Sequence, residues 1–207
     1  HNNGDGTFRD ALKEVVPHTP WFSMGSDAGD LNNDGNVDFF CVDMSARTHF
    51  GQKTTMGAMN AERMAEVAGP PPQYMRNAVY MNTDAGRCME VAYLAGLADS
   101  DWSWGAKLAD LDNDGHMDVF VTNGSVRSFN DSDVPFETSM LIGKTYWDLY
   151  RHLPERPEQN LVFANQGDLK FKDQSQAWGL DLVGMSYGAA WADLDQDNDL
   201  DLIVANI

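Results

Sequence analysis

Three segments of the chain concentrate carboxylates at a spacing that suits a hard cation. They read DLNNDGNVD from Asp30, DLDNDGHMD from Asp110 and DLDQDNDLD from Asp193. A hard cation needs several oxygens converging on one point, and ligands at positions 1, 3, 5, 7 and 9 around a tight turn supply them. In the first loop these positions hold Asp30, Asn32, Asp34, Asn36 and Asp38. The second places Asp110, Asp112, Asp114, His116 and Asp118 there, and the third Asp193, Asp195, Asp197, Asp199 and Asp201. Position 7 is expected to bind through its backbone carbonyl, which leaves the His116 side chain facing solvent. Position 6 must turn sharply and holds Gly35, Gly115 and Asn198, all types that tolerate a positive φ. Packing three or four carboxylates together without a cation costs repulsion. The expected ion is Ca2+, one per loop and in a structural role, because each loop ties a hairpin in place. An EF-hand would need a bidentate Glu at position 12, where the chain has Cys41, Val121 and Val204.

The elements that must position these loops repeat with them. Three modules align without a gap over roughly forty residues, beginning near Asn2, Asn82 and Asn165, and the interval from that Asn to the last Asp of its loop is identical in all of them. A glycine recurs at one offset as Gly25, Gly105 and Gly188, preceded by Ser23-Met24, Ser103-Trp104 and Ser186-Tyr187. The modules span residues 2–43, 82–123 and 165–206, separated by inserts over 44–79 and 124–161. Within a module, Ser103 to Ala109 and Met117 to Thr122 read as two strands joined by the acidic loop. Asn160 to Asn165 and Leu169 to Asp173 read as a third and fourth, joined by the turn Gln166-Gly167-Asp168. Four short antiparallel strands repeated at long period predict an all-β fold built from β-propeller blades. The chain would hold about two and a half blades, whereas propellers use about four to eight, so further blades or neighbouring copies are expected to complete it. In the inserts, Met56, Met59, Met64 and Val67 fall on one helical face over Thr54 to Ala68, which Pro70-Pro71-Pro72 ends. Tyr146, Leu149, Tyr150 and Leu153 form a second short amphipathic stretch before Pro154. The methionines are expected to fill the core.

Composition narrows the partners. With 207 residues and 43% apolar residues the chain can bury a sizeable core, and its formal net charge of -18 argues against phosphate backbones and anionic lipid surfaces. No apolar run approaches the roughly 18 residues of a membrane span, and an export signal, where one exists, is expected to lie outside this sequence. Cys41 and Cys88 lack CxxC spacing and align with apolar residues of the other modules, so both are expected as buried free thiols. Trp102, Trp104 and Trp191 flank the first strands, where core packing is favoured over sugar stacking. His49 and His152 have no partner at a diagnostic spacing, and no nucleophile elbow, phosphate-cradling loop or HExxH is present.

The acidic loops, with preceding strands SMGS, SWGA and SYGA, resemble FG-GAP or VCBS repeats of integrin-type propellers and secreted bacterial proteins. Over the whole chain, KTTMGAMNAERM, QYMRNAVYMN, LAGLADSDWSWGAKLADLDNDGHMDVFVTNG and WGLDLVGMSYGAAWADLDQDNDLDLIVAN are similar to bacterial relatives of cartilage acidic protein, which often carry an ASPIC and UnbV domain. The resemblance implies a secreted or surface-attached calcium propeller without established catalysis. Asn32 for Asp and Asn198 for Gly depart from the pattern. The expected role is non-enzymatic adhesion, assembly or recognition of a protein or glycan, since propeller loops and long inserts present a surface on a rigid scaffold. The alternative is a secreted carbohydrate-active lyase or hydrolase whose catalytic residues lie in the inserts or in further blades.

Overall fold

The computed structural model describes residues 1–55, 69–133, 140 and 142–207. The described chain is mostly β. In chain order its strands are β1 (Thr19–Pro20), β2 (Gly25–Gly29), β3 (Asp38–Val42), β4 (Met44–Ser45) and β5 (Gln73–Tyr74). There follow β6 (Ala78–Thr83), β7 (Arg87–Glu90), β8 (Asp101–Ala109), β9 (Asp118–Asn123) and β10 (Glu158–Gln159). The last are β11 (Leu161–Asn165), β12 (Phe171–Asp173), β13 (Val183–Gly184), β14 (Ser186–Ala192) and β15 (Asp201–Asn206).

Two antiparallel sheets and one hairpin carry the architecture. The first sheet runs in the order β2-β3-β6-β7, and the second in the order β12-β11-β9-β8-β4. In the latter, β4 comes from the chain leaving the first sheet and adds to β8 through Met44 opposite Trp102. The β14-β15 hairpin stands beside the second sheet, with β14 against β8 and β9, while β2 and β3 lie against β8 from the other side. The second sheet is therefore covered on both faces. Its strands DVFVTN and LVFAN are buried at every residue, as continuous apolar strands between two layers should be.

The main core fills the space between the first and second sheets. Phe40, Val42, Val79 and Met81 meet Ala106, Val119, Val121 and Phe163 there. On the far side, Phe120 meets Trp191 at 5.5 Å between ring centres and Trp104 meets Tyr187 at 4.9 Å. All three flanking tryptophans thus pack inside the structure or at its seams, as expected. Ile203 occupies the place in β15 that Phe40 and Phe120 hold in β3 and β9, yet it is 53% exposed where they are 0% and 1% exposed. The difference follows from position: no further described strand lies over β15.

The recurring glycine marks the backbone crossing between sheets. A Cβ on Gly25 would fall 2.9 Å from Gly105 Cα and closer still to Trp104 O. One on Gly105 would sit 3.0 Å from Thr122 Oγ1 and 3.6 Å from Tyr187 O. Side-chain amides seal the same seams. Asn77 accepts from the Asp43 N–H and donates to Ser100 Oγ, and Asn160 accepts from the Asn123 N–H and donates to Ser186 Oγ.

Some expectations need adjustment. The fourth strand of the second sheet starts at Phe171 rather than Leu169, because Gly167, Asp168 and Leu169 all take positive φ in the preceding turn. The Tyr146–Tyr150 helix forms, with a Thr145 and Asp148 capping box, but it buries no residue. The helical face over Met56, Met59, Met64 and Val67 lies outside the described residues. Met44 and Met81 are buried, whereas Met89 and Met140 are exposed, so core filling accounts for only some methionines. Cys41 is buried, Cys88 half-buried, and both are free thiols. Among the described residues, no helix is long and apolar enough to cross a membrane.

Candidate metal centre

Each acidic segment is the connection of a hairpin: β2 to β3, β8 to β9, and β14 to β15. The first Asp closes the loop on itself. Asp30 accepts the N–H groups of Asp34 and Gly35 at 3.1 and 2.8 Å, and Asp110 those of Asp114 and Gly115 at 3.0 and 2.9 Å. Asp193 accepts those of Asp197 and Asn198 at 3.2 and 3.1 Å. The tight turn needs left-handed backbone at two places, position 4 (Asn33, Asn113, Gln196) and position 6 (Gly35, Gly115, Asn198). Asn and Gly hold that conformation at little cost and fill five of these six positions, with Gln196 the exception.

The position-9 aspartate anchors the loop from below. Asp38, Asp118 and Asp201 each accept the N–H of the position-2 leucine at 2.9 Å. The second oxygen of Asp38 accepts from Asn82 N at 2.8 Å, and that of Asp118 from Asn165 N at 2.8 Å. Asp38 and Asp118 are fully buried. Burial pushes the Asp118 carboxyl up to about 6, and the charges of Asp112 and Asp114 add to the rise against the two donated hydrogen bonds. Asp38 is raised for the same leading reason.

The loops differ in how many carboxylates meet. In the second, oxygens of Asp110, Asp112 and Asp118 lie within 4.8 Å of one another, and in the third those of Asp193, Asp195 and Asp197 do. Asp114 and Asp197 cap the position-7 N–H groups of His116 and Asp199 at 2.8 and 2.9 Å. In the first loop Asn32 donates its amide to Asp34 Oδ2 at 3.0 Å, a hydrogen bond that holds the Asp34 carboxyl below its usual range. A carboxylate oxygen that accepts one N–H retains a further lone-pair site. The oxygen-only donor set of the second and third loops thus fits a hard divalent ion rather than a soft metal.

Contacts between the loops are what the sequence reading missed. Asn33 Nδ2 donates to Gly115 O at 2.9 Å and lies 3.0 Å from His116 Nδ1. Asn113 Nδ2 donates to Asp199 Oδ1 at 2.7 Å. Asn165, almost fully buried, donates its amide to Leu31 O at 2.9 Å and Met117 O at 3.0 Å, joining the first loop to the second. His116 is consequently half-buried at a seam instead of facing solvent. The amide type shared by position 4 of all loops was the available signal. Compared with protein-family models the chain matches none, and it matches none of the curated proteins.

Proposed function

We propose that the chain is part of an extracellular, calcium-stabilised β-propeller of FG-GAP or VCBS type that serves adhesion, assembly or recognition of a protein or glycan, without catalysis of its own. The observation that carries this reading is the common build of the three loops, with the same first Asp capping the turn and the same last Asp holding the position-2 N–H, to which the second and third loops add a converging carboxylate cluster. Clustered carboxylates repel one another, a bound cation offsets that repulsion, and calcium accepts this flexible all-oxygen set. The antiparallel sheets standing side by side, each opening with a glycine crossing, support blades that bury their faces only against neighbours. In that role the ion sets the hairpin geometry and the loops carry no reaction step.

Thermal melting in excess EDTA and then in excess calcium tests the structural part. A ligand that binds only the folded state stabilises it by mass action, so calcium should restore a melting temperature that chelation lowers. A glycan array and a polysaccharide-degradation assay test the recognition part. Binding without turnover supports the proposal, and turnover of a polysaccharide overturns it in favour of a carbohydrate-active enzyme.

A further inference from the structure

We infer that the chain associates with copies of itself head to tail, the outer face of the β14–β15 hairpin of one copy seating in the apolar groove beside β2 and β3 of the next. The inference rests on the blade reading proposed above, and no bound ion enters it.

Within the chain one stacking step is made twice. β2 and β3 lie against β8, and β14 lies against β8 and β9. Each step brings a glycine under the backbone of the following sheet: a Cβ on Gly25 would meet Trp104 O and Gly105 Cα, and one on Gly105 would meet Tyr187 O and Gly188 Cα. Gly188 stands at the same offset, yet among the described residues nothing lies within 4 Å of the Cβ it would carry. The surface around it is apolar. Ala190 and Ile203 pair across the hairpin on that face and are exposed, although Ile203 holds the place that Phe40 and Phe120 bury.

At the other end of the stack the same step is half built. A groove of about 450 Å³ runs along the outer face of β2 and β3, lined by Met24, Gly25, Phe39 and Cys41 and walled by the Leu12–Val15 helix. Leu12 stands at the register of Ala92, and Phe39 at that of Val119. Ala92 and Val119 are 0% exposed in the core between the first and second sheets, whereas Leu12 and Phe39 are 46% and 41% exposed. The groove is therefore a core with one wall missing, and the outer face of a β14–β15 hairpin is the kind of wall it lacks.

A polar pair sets the direction. Asn82 N donates to Asp38 Oδ1 and Asn165 N to Asp118 Oδ1, each at 2.8 Å. The third members of the series are Asn2 and Asp201, and among the described residues neither the Asn2 N–H nor Asp201 Oδ1 has a partner. Asn2 already holds the turn of its counterparts. It pairs with Phe8 as Asn165 pairs with Phe171, and its Oδ1 accepts from Gly4 N as Asn165 Oδ1 accepts from Gly167 N. Repeating the internal step from one copy to the next brings Asn2 to Asp201, Gly25 over Gly188 and Ile203 into the groove together, which selects a second copy as the occupant. Within one copy the second sheet stands between these two faces. Because the contact joins two different faces it is heterologous, and it continues until a ring closes or ends stay free. The net charge of -18 opposes it, so added salt should strengthen it.

Sedimentation velocity of the full chain at rising concentration up to about 1 mM, at low and at high salt, tests the inference. The parent should sediment as species larger than one chain, more so at high salt. Ile203→Asp puts a charge on the hairpin face and Leu12→Asp puts one in the groove, and each alone should weaken self-association by at least about 10-fold, because the charge would be buried without a partner. Both side chains are exposed in the single chain, so circular dichroism should find both variants folded. Gly188→Ala, silent in the dissociated chain, serves as a second hairpin-face variant, and Phe39→Ser as a second groove variant. Ile203→Asp and Leu12→Asp chains each retain one sound face, so mixed together they should form a 1:1 complex that grows no further. A parent that stays monomeric throughout overturns the inference and leaves stacking within one chain standing, which Gly25→Ala tests separately. A single variant that still dimerises alone, or a mixture that does not associate, overturns the head-to-tail geometry.

Discussion

The backbone N–H of Asn165 donates to Asp118 Oδ1 at 2.8 Å, so the residue that opens the third module fastens the last aspartate of the second acidic loop. Asn82 does the same for Asp38. The first two acidic loops are thus each held by the strand that follows the intervening insert. Losing the loop's charge balance should be felt through β9 and β11, not only at the surface.

The glycine crossings give a prediction with an internal control. Gly25→Ala drives a methyl group into Gly105 Cα and the Trp104 carbonyl, and overpacking against backbone costs about 1–3 kcal/mol. Gly188→Ala meets nothing within 4 Å and should stay within about 0.5 kcal/mol of the parent, as surface substitutions usually do. Chemical denaturation of the two variants against the parent checks the contrast. Equal losses would contradict it.

Loop chemistry predicts an order of affinity. The Asp110 loop joins four carboxylates to Gly115 and should bind calcium most tightly. The Asp193 loop has four but turns on Asn198, and the Asp30 loop has three, with Asn32 donating to Asp34. Affinity follows ligand charge and rigidity, with extracellular modules near about 10⁻⁴ to 10⁻³ M. Titrating the Asp30→Ala, Asp110→Ala and Asp193→Ala chains should remove the weakest, the tightest and the middle step respectively. Loss of the weakest step in Asp110→Ala would reverse the order.

A third expectation concerns acid. His18 Nε2 lies 3.0 Å from Arg76 Nη2 and 3.3 Å from Glu90 Oε2, in a pocket where Arg76 and Glu90 themselves pair at 3.0 Å. Nε2 thus faces a guanidinium that can only donate and a carboxylate that can only accept, so its protonation decides which of the two it bonds. Burial holds the His18 pKa below the ordinary imidazole value, with the charge of Glu90 opposing and that of Arg76 assisting. A lowered folded pKa means stability that is present above about pH 6.5 and lost as pH falls through that value toward the folded pKa. His18→Gln keeps an acceptor for Arg76 and removes the titration. Between pH 7 and pH 5 it should lose less stability than the parent. Parallel losses in parent and variant would count against this.

The thiols offer a chemical readout. Cys41 and Cys88 line one groove with Leu12, Phe39 and Tyr80, and burial raises both thiol pKa values. The reactive species is the thiolate, so both should react slowly in the native state, Cys88 ahead of the more buried Cys41. A thiol-specific reagent followed by peptide mapping should find two free thiols after unfolding without reductant. Finding none would reveal a disulfide.

How much of this was legible in the sequence depends on the kind of contact. Short runs rich in strand-forming apolar residues, bounded by turn signals, were enough to place β8, β9 and β11, because strand propensity and turn chemistry are local. The start of β12 was misplaced because Leu169 adopts a positive φ that its side chain does not advertise. The recurring glycine was visible as a pattern, but its cause, a backbone crossing between sheets, is a contact across 80 residues of chain. Asn33 could not be assigned from spacing, since an amide at a turn tip reads as turn chemistry until the neighbouring loop is beside it. Likewise His116 looked solvent-facing for want of the partner loop.

The central claim is that three calcium ions belong to this chain, and equilibrium dialysis against calcium at millimolar free concentration counts them directly. The account predicts three bound per chain, falling to two when Asp30, Asp110 or Asp193 is replaced by Ala. A parent chain that binds none under these conditions would contradict it.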